Sequence, residues 1–74
     1  MLMNFGERIR DIRTDHDHTQ KELAELIGCS SKQIGRYESG EQEMTLTKLK
    51  IFCEVYGISA DYVLGLKQNM KWPR

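Results

Sequence analysis

Hydrophobic residues recur along the chain at spacings of three and four, which is the period of an amphipathic helix. The first run, formed by Phe5, Ile9 and Ile12, already shows this i, i+4, i+7 pattern. No window has the sustained alternation of apolar and polar residues that indicates a β-strand. The pattern therefore predicts an all-α fold.

Start and stop signals divide the chain into five predicted helices. The first is expected over about residues 5–16, with Asn4 as its N-cap and Glu7 as a capping-box partner. Each later helix should begin after a serine or threonine cap and end at a glycine, and Glu22 and Gln33 are two further predicted box partners. The caps and terminating glycines are Thr19 and Gly28, Ser30 and Gly40, Thr45 and Gly57, and Ser59 and Gly65.

The apolar faces of these helices predict one compact five-helix bundle. With 74 residues the chain is too short for a second domain, so residues 1–74 are expected to form one, with a core at 4–65 and a cationic tail at 66–74. The residues expected in the core are Phe5, Ile9, Ile12, Leu23, Ala24, Ile27, Ile34, Tyr37, Leu46, Leu49, Phe52, Cys53, Tyr56, Ile58, Val63 and Leu64.

The composition excludes some classes of protein but does not identify one. The chain has 11 basic and 11 acidic residues and a net charge of zero, which excludes a globally basic nucleic-acid binder but permits a locally basic face. No apolar run approaches the roughly 20 residues that cross a bilayer, and the first residues lack a signal peptide's pattern. We therefore expect a cytoplasmic protein without a membrane partner.

Cys29 and Cys53 are expected to be small buried apolar residues.

Residues 20–40, QKELAELIGCSSKQIGRYESG, carry the functional signal. Two predicted helices are separated there by only Gly28, Cys29 and Ser30, so they must cross steeply. Ala24 lies one turn before Gly28 and is small enough to let the second helix approach. This is the geometry of a helix-turn-helix, in which the second helix can enter a DNA major groove.

From this point the chain resembles the Cro/repressor-type helix-turn-helix domains of phage and bacterial transcriptional regulators. The resemblance covers about residues 4–65. It rests on the Thr-Gln-x-x-Leu-Ala opening, the Gly-Cys-Ser turn, the Ile-x-x-Tyr-Glu-x-Gly ending and the Tyr-Gly-Ile-Ser-x-Asp-Tyr run. It implies a transcriptional regulator, in the usual case a repressor, that binds double-stranded DNA sequence-specifically through helix 31–38. It also implies a homodimer on a two-fold operator.

The resemblance further implies roles for individual residues. Gln20 matches a glutamine that meets a phosphate at the start of the second helix, where free N–H groups and the helix dipole attract anions. Arg13 and Glu38 match an ion pair that holds the motif together rather than reading DNA. The positions that match groove-facing residues are Ser31, Lys32, Gly35 and Arg36.

Several of these positions also have a simpler interpretation. Lys32 and Arg36 are four residues apart and could form one solvated helical face. Gln33 is either the capping-box partner of Ser30 or a DNA contact. Gly35 costs about 0.5–1 kcal/mol relative to alanine inside a helix, and it either permits close approach to DNA or is a neutral exposed position.

Two stretches have residue types that suggest other chemistry. Residues 15–18, Asp-His-Asp-His, contain metal-ligand types, but a closed site needs ligands from several elements. We expect a solvated helix end there, with His18 near Leu23 as a hydrophobic staple, and neither a metal nor another cofactor. No nucleophile and base, or pair of carboxylates, falls on facing elements, so we expect neither an enzyme nor a small-molecule substrate.

The loop Glu41-Gln42-Glu43 departs from the resemblance. Related loops often carry basic residues that touch phosphate and a proline where Met44 stands, so this contact should be missing or altered. The alternative function is a protein-interaction or antitoxin-like module whose acidic loop meets a basic partner. We expect Leu66, Met70 and Trp72 of the tail to do one of two things. They either form a dimer contact or fold back onto the bundle.

Overall fold

The computed structural model describes residues 4–66, and these residues form five helices and no strand. The helices are α1 (Phe5–Asp15), α2 (Gln20–Ile27), α3 (Ser31–Ser39), α4 (Leu46–Tyr56) and α5 (Ala60–Leu64). The prediction of an all-α five-helix fold is confirmed. None of these described helices is long and apolar enough to cross a membrane.

Each helix begins at the predicted N-cap, whose side-chain oxygen accepts a hydrogen bond from a backbone N–H three residues on. This bond satisfies one of the donors that the first helical turn leaves free. Thr19 and Glu22 form the complete capping box. At the start of α1 the Glu7 carboxylate instead accepts from the side-chain amide of Asn4, and in α3 no bond returns from the Gln33 side chain. The N-caps of α1 and α3 are thus as predicted. The second bond of each predicted capping box, from the N-cap backbone N–H to the side chain of the box partner, is not formed, and that part of the prediction is wrong.

The core lies between the helices and consists of ten buried hydrophobic residues, all of them predicted: Ile9, Ile12, Leu23, Ala24, Ile27, Ile34, Tyr37, Leu49, Phe52 and Val63. Phe5, Cys53, Tyr56 and Ile58 are only partly buried and pack against this core, as does Cys29.

Leu46 and Leu64 were expected in the core, and this prediction is wrong. Leu46 is 83% exposed and Leu64 is 47% exposed. Leu46 is the first residue of α4, where the helix has not yet reached the core. Leu64 directly follows the buried Val63, and successive helical residues differ in direction by about 100°. Helical spacing alone does not tell which of two adjacent apolar residues faces inward.

A glycine that the sequence pattern did not single out sets the contact between α1 and α3. Gly6 is buried in the first turn of α1. A Cβ atom at this position would lie 2.6 Å from the carbonyl oxygen of Tyr37 and closer still to that of Glu38. Both are backbone atoms of α3, so only glycine allows the two helix backbones to come this close.

The turn between α1 and α2 packs against α4 through aromatic contacts. The Nδ1 atom of the half-buried His18 lies 2.8 Å from the Tyr56 hydroxyl, and the His16 ring centroid is 4.4 Å from that of Tyr56. Burial raises the pKa of the Tyr56 hydroxyl above its usual range. The expected solvated helix end is thus partly a packing contact. Among the described residues, no three potential metal ligands come together.

Candidate nucleic-acid interface

The tight turn between α2 and α3 orients the second helix. Gly28 ends α2 in the left-handed region at φ 79°, and the backbone N–H groups of Gly28 and Cys29 both donate to the Ala24 carbonyl at 2.9 Å. Ala24 is buried, and so are Ile34 and Tyr37 on the inner face of α3. The inner face of α3 is thereby held against the core, and its opposite face is left accessible.

The accessible face of α3 carries the groove-facing residues that the resemblance implies. Ser31 and Lys32 are exposed, whereas Gln33, Gly35 and Arg36 are half-buried. Lys32 forms no ion pair with the described residues. These side chains are not needed to complete the core, and α3 presents them together.

Gln20 begins α2 and reaches across to α3. Its side-chain Nε2 donates to Glu38 Oε1 at 3.0 Å. The same amide covers Gly35, since a Cβ there would lie 3.7 Å from Nε2, which is an ordinary contact. An amide nitrogen has two N–H donors, so one remains for a phosphate beside the free N–H groups of the α2 N-terminus. Gln20 thus lies next to the accessible face of α3.

Arg13 and Glu38 form a two-bonded ion pair between α1 and α3. Arg13 Nε lies 2.6 Å from Glu38 Oε2, and Arg13 Nη2 donates to Glu38 Oε1 at 3.1 Å. The remaining Nη1 donates to the His18 carbonyl at 2.8 Å. Both side chains are largely buried, and breaking such a pair leaves a buried charge uncompensated. This network attaches the end of α3 to α1 and to the turn before α2.

Lys48 of α4 supports the helix pair from the other side. Its Nζ donates to the carbonyl oxygens of Ile27 and Gly28 at 3.1 and 2.9 Å. These are among the carbonyls that the end of α2 leaves without partners, and a positive charge is favourable there because of the helix dipole. Sequence reasoning missed Lys48, since nothing in the local pattern links it to α2, 20 residues earlier.

The acidic loop after α3 lies beside Arg36, one of the residues that the resemblance implies to face the groove. Arg36 Nε is 3.8 Å from Glu41 Oε2, and the two side chains are 42% and 70% exposed. The loop is fixed to the same turn of helix, since Gln42 N–H donates to the Arg36 carbonyl at 3.2 Å. The loop therefore places a negative charge beside the accessible face of α3.

Comparison with known proteins identifies the family. The helix-turn-helix family profile matches residues 9–63, and the chain belongs to this family. The uncharacterized HTH-type transcriptional regulator YobD of Bacillus subtilis is 40% identical over 65 residues, which are 88% of this chain and 58% of YobD. Antitoxin PezA of Streptococcus pneumoniae is 32% identical over 61 residues, which are 82% of this chain and 39% of PezA. The chain thus spans little more than half of YobD and less of PezA.

A solved structure matches the same fold. The P22 c2 repressor in complex with a synthetic operator superposes with a TM-score of 0.80 at 30% identity, covering 85% of this chain and 96% of that chain. The resemblance to Cro/repressor-type helix-turn-helix regulators is confirmed by these matches.

Proposed function

We propose that this protein is a DNA-binding transcriptional regulator that recognises a DNA sequence through α3. The observation that carries the proposal is the accessible face of α3, with Ser31, Lys32 and Arg36 beside Gln20, on a helix whose other face is buried. The similarity to the P22 c2 repressor, whose structure contains an operator, supports double-stranded DNA as the partner.

The chemistry of each side chain suggests its role. Lys32 and Arg36 are long cationic donors that can reach the O6 and N7 atoms of guanine. Gln20 and the α2 N-terminus would hold a phosphate, which positions the protein without reading bases. Gln33 has a side chain that is not used in a capping box, so we include it among the DNA contacts. Gly35 lies beside the Gln20 side chain, and its lack of a Cβ leaves the α3 backbone open to close approach by DNA.

We further propose a homodimer that acts as a repressor in the cytoplasm. One α3 helix touches only a few base pairs, and so short a sequence recurs too often in a genome to define one site. Two copies related by a two-fold axis double the length read, with half-sites about 34 Å apart. The expected contact surface includes Leu66, which is exposed, whereas Met70 and Trp72 lie outside the described residues. Such a dimer would repress by covering a promoter.

Selection of bound duplexes from randomised DNA tests the proposal, followed by affinity measurements on the selected duplex and on an unrelated one of equal length. Lys32→Ala and Arg36→Ala should each lose about 1–3 kcal/mol more on the selected duplex than on the unrelated one. Lys50→Ala removes an exposed charge on α4 and should change both affinities equally. Equal losses for all three variants would mean that α3 does not read bases.

An antitoxin-like protein-interaction module is the second candidate. The exposed acidic loop 41–43 and the similarity to antitoxin PezA favour it. Failure of the wild-type protein to bind any duplex at low salt, together with binding to a basic protein partner that Glu43→Gln weakens, would support this alternative. Either function uses the surface without a catalytic step, so we propose no enzymatic activity, cofactor or small-molecule substrate.

A further inference from the structure

The position of Glu41 next to Arg36 is set by the backbone and not only by the attraction of two charges. Ser39 Oγ donates to the Arg36 carbonyl at 3.2 Å and accepts from the Glu41 N–H at 3.3 Å. Gln42 N–H also donates to the Arg36 carbonyl, at 3.2 Å. The loop is thereby folded back onto the last turn of α3, which keeps the Glu41 carboxylate near the Arg36 guanidinium.

Glu41 comes closest to the guanidinium at its Nε edge. The atom nearest to Glu41 is Nε, at 3.8 Å, whereas Nη1 and Nη2 of Arg36 make no hydrogen bond with the described residues. An arginine can bind guanine through two donors directed at O6 and N7. A pair of bonds from the two Nη groups would leave Nε facing Glu41. The ion pair is therefore compatible with an end-on guanine contact.

A phosphate interacts with Arg36 differently. Binding to DNA of any sequence is dominated by the electrostatic attraction between basic side chains and the phosphates. The negative charge of Glu41 offsets that of Arg36 and is itself repelled by the DNA backbone. Glu41 thus weakens the attraction of Arg36 to phosphates, which are present in DNA of every sequence. The directed bonds from Arg36 to a guanine remain available.

We propose that Glu41 is a specificity-determining residue, which suppresses binding of Arg36 to phosphate on unrelated DNA and leaves its two Nη groups for a base. The proposal rests on the proposed function in DNA binding. It also gives the acidic loop a role within the DNA interface, where related domains often have basic residues.

The test compares Glu41→Gln with Glu43→Gln, which removes the same charge two residues further along the loop. Glu43 is exposed and forms no ion pair with the described residues. Affinities are measured for the selected duplex and for an unrelated duplex of equal length over a range of salt concentrations. Circular dichroism checks that both variants keep the fold, which is expected because both side chains are exposed.

Glu41→Gln should tighten binding to the unrelated duplex about 2- to 5-fold, the scale of an exposed ion pair. Binding to the selected duplex should change by less than about 2-fold, because the Arg36 bonds to the base are already made there. The slope of log affinity against log salt on the unrelated duplex should become steeper by about 0.9, as for one additional phosphate contact. Glu43→Gln should tighten both complexes by the same factor.

Arg36→Ala supplies the second control. In the Arg36→Ala background, Glu41→Gln should no longer change the ratio of the two affinities. An equal effect of Glu41→Gln on both duplexes, or an altered ratio that persists without Arg36, would overturn the proposal. If the wild-type protein discriminates between the duplexes and Glu41→Gln discriminates equally well, only the role of Glu41 fails. If the wild-type protein binds neither duplex, the proposed function fails and this role with it.

Discussion

Replacement of Gly6 by alanine would put a methyl group where α1 and α3 touch through their backbones. The new Cβ would lie 2.6 Å from the Tyr37 carbonyl oxygen and still closer to that of Glu38. A flexible side chain could turn away from such a contact, but these oxygens belong to the last turn of α3. The helices must therefore move apart, and the Arg13–Glu38 ion pair spans the same contact.

Two opposing effects determine the size of the change. Alanine is better than glycine in a helix interior by about 1 kcal/mol, and less near a helix end. An additional methyl group in a closely packed contact costs about 1–3 kcal/mol, and here a buried ion pair is disturbed as well. We therefore expect Gly6→Ala to lower the free energy of unfolding by about 1–3 kcal/mol. In a domain of this size each kcal/mol lowers Tm by about 4–8 °C.

Gly35→Ala is the matched control. A Cβ on Gly35 would lie 3.7 Å from the Gln20 side chain, which is an ordinary contact with a flexible group. This variant should be more stable than the wild type by about 0.5–1 kcal/mol because the helix loses a glycine. Thermal and urea unfolding followed by circular dichroism measure both variants. If Gly6→Ala is as stable as Gly35→Ala, the close backbone contact does not exist and the reasoning is refuted.

Three further changes test other contacts of the helix pair. Lys48→Met removes both bonds to the end of α2 and should lower the free energy of unfolding in urea by about 1–2 kcal/mol, whereas an unchanged midpoint would contradict this role. Arg13→Lys keeps the charge but not the two-bonded geometry with Glu38, so a loss of about 1–3 kcal/mol is expected in the same assay. The bond from the Thr19 backbone N–H lowers the pKa of Glu22 below its ordinary value of 4.5. Its contribution to stability is therefore present above pH 4.5 and lost as the pH falls through the lowered pKa, so the Tm of Glu22→Gln should fall less steeply in acid than that of the wild type.

Local signals in the sequence predicted the helix ends well because each of them acts within a few residues. A cap such as Thr19 bonds to a backbone group three positions away. The glycine after α2 takes a left-handed conformation because it has no Cβ atom, whatever its distant neighbours are. The inward faces of the helices follow from their period, and the ten buried residues were all among those predicted. The same period failed at Leu46 and Leu64, since it does not show where a helix end passes the edge of the core.

The remaining features depend on elements that are distant in the chain. Gly6 is required by the backbone of α3, and Lys48 caps a helix 20 residues before it. A glycine inside a predicted helix is a weak signal of such a contact, because it is unfavourable there unless packing requires it. The loop sequence alone revealed the negative charge of Glu41, whereas its place beside Arg36 follows from the bonds that fold the loop back.

The two faces of α3 differ in what would happen to them over evolutionary time. Ile34, Tyr37 and Glu38 attach the helix to the rest of the domain, so most changes among them would be removed because the protein would no longer fold. Ser31 and Lys32 are exposed and do not hold the helix in place, so substitutions there would leave the fold intact. On the proposed function, a duplicated gene would therefore acquire a new DNA specificity through a few codon changes without passing through an unfolded intermediate.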